Sequence, residues 1–452
     1  MKLFHLGILS VVISFVFVLF ACQNPTNKSI SEQNQNTALN DSELFHQALQ
    51  SLTDVIVQDI FSPPVASRIY AYPCIAAYEV IAQHHTELAS FGRQLNGLSE
   101  MDTLQFNKKF SPELAAIVAF LETGKQLVFS QEKLDNELKQ LRKGLLNKGI
   151  EQAFIEASFE VGTAYAKHII AWSQKDNYAQ TRSATKYSFS DEPGKWIPTP
   201  PAFMEGIEPN WRNMRTMVIG DLEQFKPAPP TKFSLEKSSK FFQEVLETKN
   251  AVNTATQEQK AIAAFWDCNP YVMNVTGHAM FASKKITPGG HWMGITSVAA
   301  QKSQLQTKNS IEIHTLTAIA IYDAFISCWD EKYRSNLVRP ETIINTEIDQ
   351  DWQPLLQTPP FPEHTSGHSV ISTTAAEILT SYFGDNYAYK DDVELKYGLP
   401  IRSFDSFRDA ASEAAISRLY GGIHFRPAID DGVVQGKKIA EQILHKITTR
   451  TK

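Results

Sequence analysis

The chain has 452 residues, with 43 Lys and Arg set against 49 Asp and Glu, for a formal net charge of −6 with histidine neutral. A mildly acidic chain that is 43% hydrophobic can build a large core and has no basic excess with which to hold nucleic acid. None of its four cysteines sits in a CxxC pair, which argues against a disulfide framework.

Lys2 is followed by an apolar run, Leu6 to Phe20, that is short for a bilayer span and right for the core of a signal peptide. The run ends in Leu19-Phe20-Ala21-Cys22, which resembles a bacterial lipobox. Residues 1–21 then read as a lipoprotein signal peptide, with Cys22 as the lipidated first residue of the mature chain. Residues 22–41 are rich in Asn, Gln, Ser and Thr and lack aromatics, a composition that buries no core and reads as a flexible tether. The expected location is the bacterial cell envelope, in the periplasm or on the outer membrane. Membrane contact is expected only through the lipid, because no later stretch reads as a bilayer span.

Helical periodicity dominates from there, and alternating strand patterns are scarce. Asn40 and Glu43 fit a capping box ahead of an apolar face from Leu44 to Ile60. Ser62-Pro63-Pro64 opens a second helix, which Pro73 is expected to kink or interrupt. Further helices are predicted from Ser111-Pro112, from Ser130, and over 148–172. Residues 174–233 hold eight prolines with Trp196 and Trp211 among them, which predicts an ordered, non-helical excursion over the helices. Helices resume over 235–246 and from Thr256 to Trp266. The stretch Ile311 to Trp329 is apolar nearly all round, so it reads as a core helix. Helices over 368–383, 404–420 and 433–447 complete an all-α chain: one domain over 42–450, with a bundle at 310–447 carrying the chemistry.

Three separated stretches in that bundle carry reactive side chains. The core helix ends near Lys332, and Arg339-Pro340 follows. Phe361-Pro362-Glu363-His364-Thr365-Ser366-Gly367-His368 opens a helix. Ser417-Arg418 ends a helix that Gly421-Gly422 breaks just before His424. Three cations, two imidazoles and a Ser-Gly pair at a helix N-terminus, where backbone N–H groups lack partners, make a coherent oxyanion site.

Lys332, six residues, Arg339-Pro340; then Ser366-Gly367-His368; then Ser417-Arg418, five residues, His424: this order and spacing resembles the signature of the vanadium haloperoxidase and type 2 phosphatidic acid phosphatase (PAP2) superfamily. The resemblance is close over the C-terminal half. It extends loosely to 62–80 and 266–292, which look like the helical region of bacterial vanadium-dependent haloperoxidases. It implies a fold of packed helical bundles. It also implies that His424 is the ligand to vanadate, or to phosphorus as a phosphohistidine. Lys332, Arg339, Arg418, Ser366 and the Gly367 amide would hold the oxygens, and His368 would be the acid/base. Trp329 and Phe361 match fungal-type chloroperoxidases and would wall a halide pocket. The implied reaction is halide oxidation by hydrogen peroxide to a hypohalous species, with acid phosphatase activity on phosphomonoesters as the alternative. Superfamily phosphatases are generally shorter, and many span membranes, unlike this chain.

Two positions depart from the family pattern. Thr365 stands where Pro is usual, and Ala428 stands where an Asp would orient His424, leaving Asp430 and Asp431 as the carboxylates nearest in sequence. His364 lies four residues before His368 and is expected to tune it or line the entrance. His278 and His291 flank Gly289-Gly290 without Asp, Glu or His at metal-ligand spacing. Packing or channel lining is therefore expected of them rather than divalent-metal binding.

Overall fold

The computed structural model describes residues 42–101, 108–276, 279–282 and 284–451. The signal peptide, Cys22, the tether, Asn40 and His278 lie outside the described residues. In chain order the helices are α1 (Glu43–Gln58), α2 (Pro63–His84), α3 (Pro112–Lys125), α4 (Gln131–Asn147), α5 (Gln152–Ser173), α6 (Tyr178–Ser183), α7 (Lys240–Asn253) and α8 (Gln257–Phe265). They continue with α9 (Pro288–Lys302), α10 (Thr307–Ser335), α11 (Pro340–Glu347), α12 (Gly367–Phe383), α13 (Phe407–Tyr420) and α14 (Arg426–Lys446). Two short antiparallel pairs, β1 (Met273–Thr276) with β2 (Ala279–Ala282) and β3 (Tyr389–Asp391) with β4 (Arg402–Phe404), are the strands among the described residues.

The helix starts follow local chemistry. Ser62, Ser111, Ser239, Thr287, Ser366 and Ser406 each accept a first-turn backbone N–H. Thr256 and Gln259 form a reciprocal capping box at the start of α8. Three boundaries differ from expectation. α2 runs unbroken through Pro73, because burial of nearly the whole helix outweighs one missing backbone bond. α7 starts at Lys240, where Ser239 supplies the cap, and α14 starts at Arg426, where Pro427 fits the first turn. α9 and α11 were not anticipated.

α10 is the central beam. It packs on α2 and α9 on one side and on α12 and α14 on the other. By length and composition it passes as a bilayer span, contrary to the sequence reading, yet 94% of its most apolar window is buried inside the protein. The Pro-rich excursion, expected to be non-helical, holds one α-helix, α6, and its Trp196 and Trp211 are fully buried. It is pinned to α10 by the Asp323 carboxylate, which accepts the N–H groups of Met217, Val218 and Ile219 at 2.6, 2.8 and 2.9 Å. It is pinned to α2 where Arg68 Nε donates to Asp176 at 2.7 Å.

Two glycines set the geometry beside the reactive stretch. On α14, a Cβ at Gly436 would lie 2.6 Å from the Val370 carbonyl oxygen, so α12 and α14 approach this closely only around glycine. Gly422 has φ +77° and would place a Cβ 2.6 Å from Val252 Cγ2. Gly422→Ala is expected to lose ~2 kcal/mol or more through left-handed strain and overpacking. Gly144→Ala, in α4 with open space around it, should gain ~0.5–1 kcal/mol. Urea unfolding of the two variants checks the opposite signs.

Candidate active site

Every reactive side chain sits at a helix end. The last turns of α10 carry Trp329 and Lys332. Asn336, with φ +51°, ends α10 and turns the chain to Arg339, the N-cap of α11. Residues 361–365 lead into α12, whose N-cap is Ser366 and whose first residue is Gly367. The last turn of α13 carries Arg418, and the Gly421-Gly422 turn delivers His424 just before α14. Helix ends concentrate unpaired backbone groups, so five of them meeting make a polar centre inside an apolar fold.

His424 is almost wholly buried. Its Nδ1 lies 2.8 Å from Glu363 Oε1, which also accepts the Phe425 N–H at 2.9 Å. The carboxylate therefore holds the proton on Nδ1 and leaves a lone pair on Nε2. Arg339 Nη1 donates toward that Nε2 at 3.2 Å and to the Ile423 carbonyl at 2.8 Å. Burial, with Arg339, Lys332 and Arg418 nearby, pushes the His424 pKa well below the usual imidazole range, so the ring is neutral. Burial pushes Glu363 the other way, up to about 7, against the pull of Arg339, the Phe425 N–H and Lys332.

Lys332 Nζ donates to the carbonyls of Pro362, Glu363 and Thr365 at 3.2, 3.1 and 2.5 Å, and burial pushes its pKa down to about 8. Arg418 donates to the Ser417 hydroxyl at 2.9 Å and to the Trp266 carbonyl at 2.8 Å. Burial lowers both Arg418 and Arg339 to about 10, which leaves both charged at neutral pH. Three buried polar atoms lack partners around this centre: Arg339 Nη2, Glu363 Oε2 and His368 Nε2. Burial and then Arg418 push the His368 pKa well below its usual value, so this ring is also neutral, with Nε2 uncommitted.

One cavity joins these groups. Gly367, His368, Arg418 and His424 form its polar part, and Phe325, Trp329, Phe361, Ile423 and three prolines form its apolar wall. The Trp329 and Phe361 rings pack at 5.0 Å. Lys332 Nζ and the Arg339 guanidinium each lie 5.1 Å from the Phe361 ring centre, so both cations sit against the aromatic wall, and Arg339 also reaches the cavity side at His424 Nε2. Ser366 caps α12 through its hydroxyl. A Cβ at Gly367 would meet only Trp329, at 3.8 Å, so the first turn of α12 is open toward the cavity.

The structure thus gathers Lys332, Arg339, Ser366, Gly367, His368, Arg418, His424, Trp329 and Phe361 around one centre. It changes three other readings. The carboxylate on His424 is Glu363, not Asp430 or Asp431. His364 does not line the cavity, because its Nε2 lies 3.2 Å from the Ala228 carbonyl oxygen and 3.9 Å from Asp431. His291 has carboxylate partners after all, in Asp391 and Glu394. Glu363 stands beside His364, 61 residues before His424, so no local spacing around His424 points to it.

A family model described as the VCPO second helical-bundle domain matches residues 312–452. The solved structure of the first bacterial vanadium-dependent iodoperoxidase is 47% identical, covers 91% of this chain and 98% of its own, and superposes with a TM-score of 0.86. Holo- and apo-type bacterial vanadium-dependent chloroperoxidases share the fold, with TM-scores of 0.64 and 0.62 at 16% and 15% identity. The holo form covers 86% of this chain and 93% of its own, the apo form 85% and 95%. No curated protein matches the chain. The chain belongs to the vanadium-dependent haloperoxidase family.

Glu363→Ala strands two buried N–H groups, and each costs ~1–3 kcal/mol when left unpaired. Glu363→Gln keeps an acceptor and should be milder. A carboxyl whose folded pKa lies above its unfolded value binds protons better when folded, so it lowers stability as pH rises from its ordinary range to about 7. Glu363→Gln should remove that decline, as thermal unfolding across pH 4 to 8 would show.

Proposed function

We propose that this enzyme is an iodide-oxidising vanadium haloperoxidase, with vanadate seated between His424 Nε2 and the N-terminus of α12. The observation that carries the reading is the neutral, Glu363-oriented His424 lone pair among three buried cations. The residues fit a tetrahedral oxyanion. The uncommitted Arg339 Nη2, the Arg418 guanidinium and the open first turn of α12 supply donors of the right charge around one acceptor nitrogen, and His368 Nε2 is left as a second acceptor. When bound, vanadate supplies Lewis acidity toward hydrogen peroxide without a redox-active protein group. The net reaction is I⁻ + H₂O₂ + H⁺ → HOI + H₂O, in which iodide gives two electrons to peroxide.

The chain's own residues do the rest. His424, Arg339 and Arg418 bind and orient the anion, with Lys332 adding charge from behind Phe361. Ser366 sets the direction of the α12 N-terminus. His368, neutral and free at Nε2, takes a proton from peroxide and returns one to the departing oxygen. Trp329 and Phe361 exclude water. Iodide, large and weakly hydrated, loses least on entering such a wall, and the 47% identity to an iodoperoxidase agrees with that choice. Anchoring in the cell envelope through a lipid on Cys22 is part of the same proposal and rests on the N-terminal sequence pattern.

His424→Ala should abolish vanadate binding in calorimetry. His368→Ala should retain vanadate and lose ~10²–10⁴ in kcat. Wild-type vanadate binding by His424→Ala would overturn the assignment. In steady-state assays kcat/KM should fall from iodide to bromide to chloride, and chloride turnover equal to iodide would refute the halide reading.

A further inference from the structure

A second constellation adjoins the cavity, with Cys268 on its lining, and is not used by the proposed reaction. Cys268 Sγ lies 3.4 Å from His291 Nδ1 and 3.6 Å from Glu394 Oε1, and Nδ1 and Oε1 are 3.1 Å apart. All three residues are buried. Ideal tetrahedral zinc with bonds of ~2.3 Å to sulfur, ~2.0–2.1 Å to nitrogen and ~2.0–2.2 Å to oxygen has edges of about 3.6, 3.6 and 3.4 Å for the same pairs. The three observed distances agree within about 0.3 Å.

The second nitrogen of the ring makes the arrangement directional. His291 Nε2 lies 2.8 Å from Asp391 Oδ2, and the other Asp391 oxygen accepts the Val393 N–H at 3.1 Å. A carboxylate behind an imidazole fixes its tautomer and aims the opposite nitrogen, which is how histidines that ligate metals are usually held. Trp266 stacks on the ring at 4.8 Å and 23°, fixing its plane. Two carboxylates and a thiol thus surround one buried imidazole.

We propose that Cys268, His291 and Glu394 bind one zinc ion, with Asp391 orienting His291. Thiolate, imidazole and carboxylate together suit this borderline cation better than calcium or magnesium, which take oxygen ligands. Binding releases the thiol proton and leaves a neutral ring at Nδ1. The ion ties residues 266–269 to α9 and to the turn after β3. Because the Trp266 carbonyl holds Arg418 at 2.8 Å and Cys268 lines the cavity, the ion also steadies the oxyanion site. The metal site itself does not rest on the haloperoxidase reading.

The test is metal content of the purified full chain, by mass spectrometry after dialysis into metal-scrubbed buffer. About one zinc per chain is expected. Cobalt exchanged into the site should give a near-ultraviolet thiolate charge-transfer band that Cys268→Ser abolishes. Asp391→Asn should weaken zinc by ~10–100-fold, and Cys74→Ala, which removes a buried thiol outside the cluster, should leave it unchanged. Wild-type protein with no stoichiometric zinc and no cobalt–thiolate band overturns the proposal whether or not any variant folds, as does full zinc retention by His291→Asn. Stoichiometric zinc in a protein that fails to bind vanadate would leave this site standing and sink the haloperoxidase reading alone.

Discussion

The site depends on keeping one imidazole neutral beside three buried cations. Burial favours the unprotonated ring and each cation adds to the effect, so the field that would receive an oxyanion also helps keep His424 able to bind one. Field alone would not choose which nitrogen carries the proton. Glu363 makes that choice by accepting from Nδ1 while also holding the Phe425 backbone, which ties ring orientation to the start of α14.

That chemistry needs a scaffold that brings distant helix ends together and keeps them dry. α10 provides it, with its apolar surface buried against helices on both sides and its last turns carrying Trp329 and Lys332. The Phe361 ring then adds a hydrocarbon face beside that charge. Lys332 and Arg339 sit against it, so the cavity feels their field while presenting a hydrocarbon face. A low-dielectric wall of this kind strengthens the electrostatics that organise an anion. The Pro-rich excursion contributes to the enclosure, since Trp329 Nε1 donates to the Ile207 carbonyl at 3.1 Å and the Ile207 N–H donates to the Pro360 carbonyl at 3.0 Å.

The sequence showed the fold class because amphipathic periodicity and Ser/Thr-Pro helix starts are local signals. Lys332, Arg339, His368, Arg418 and His424 were legible because their spacing within each stretch is fixed by a single turn or helix end. What escaped notice was mostly contact between stretches. Glu363 reaches His424 across 61 residues of chain, where the segments leading into α12 and α14 meet, and no spacing rule predicts that. His291 looked isolated because Asp391 and Glu394 lie about a hundred residues further on, brought back by the β3–β4 hairpin. Pro73 looked like a kink or a break, and the helix is not broken there because burial keeps α2 helical through it.

The central claim is a protonation state, and histidine ¹⁵N NMR reads it directly. The account predicts that His424 in the vanadate-free protein is the Nδ1–H tautomer, with a pyridine-like Nε2, and that it does not titrate between pH 5 and 8. A ring that becomes imidazolium with a pKa near the ordinary ~6.5, or that carries its proton on Nε2, would contradict it.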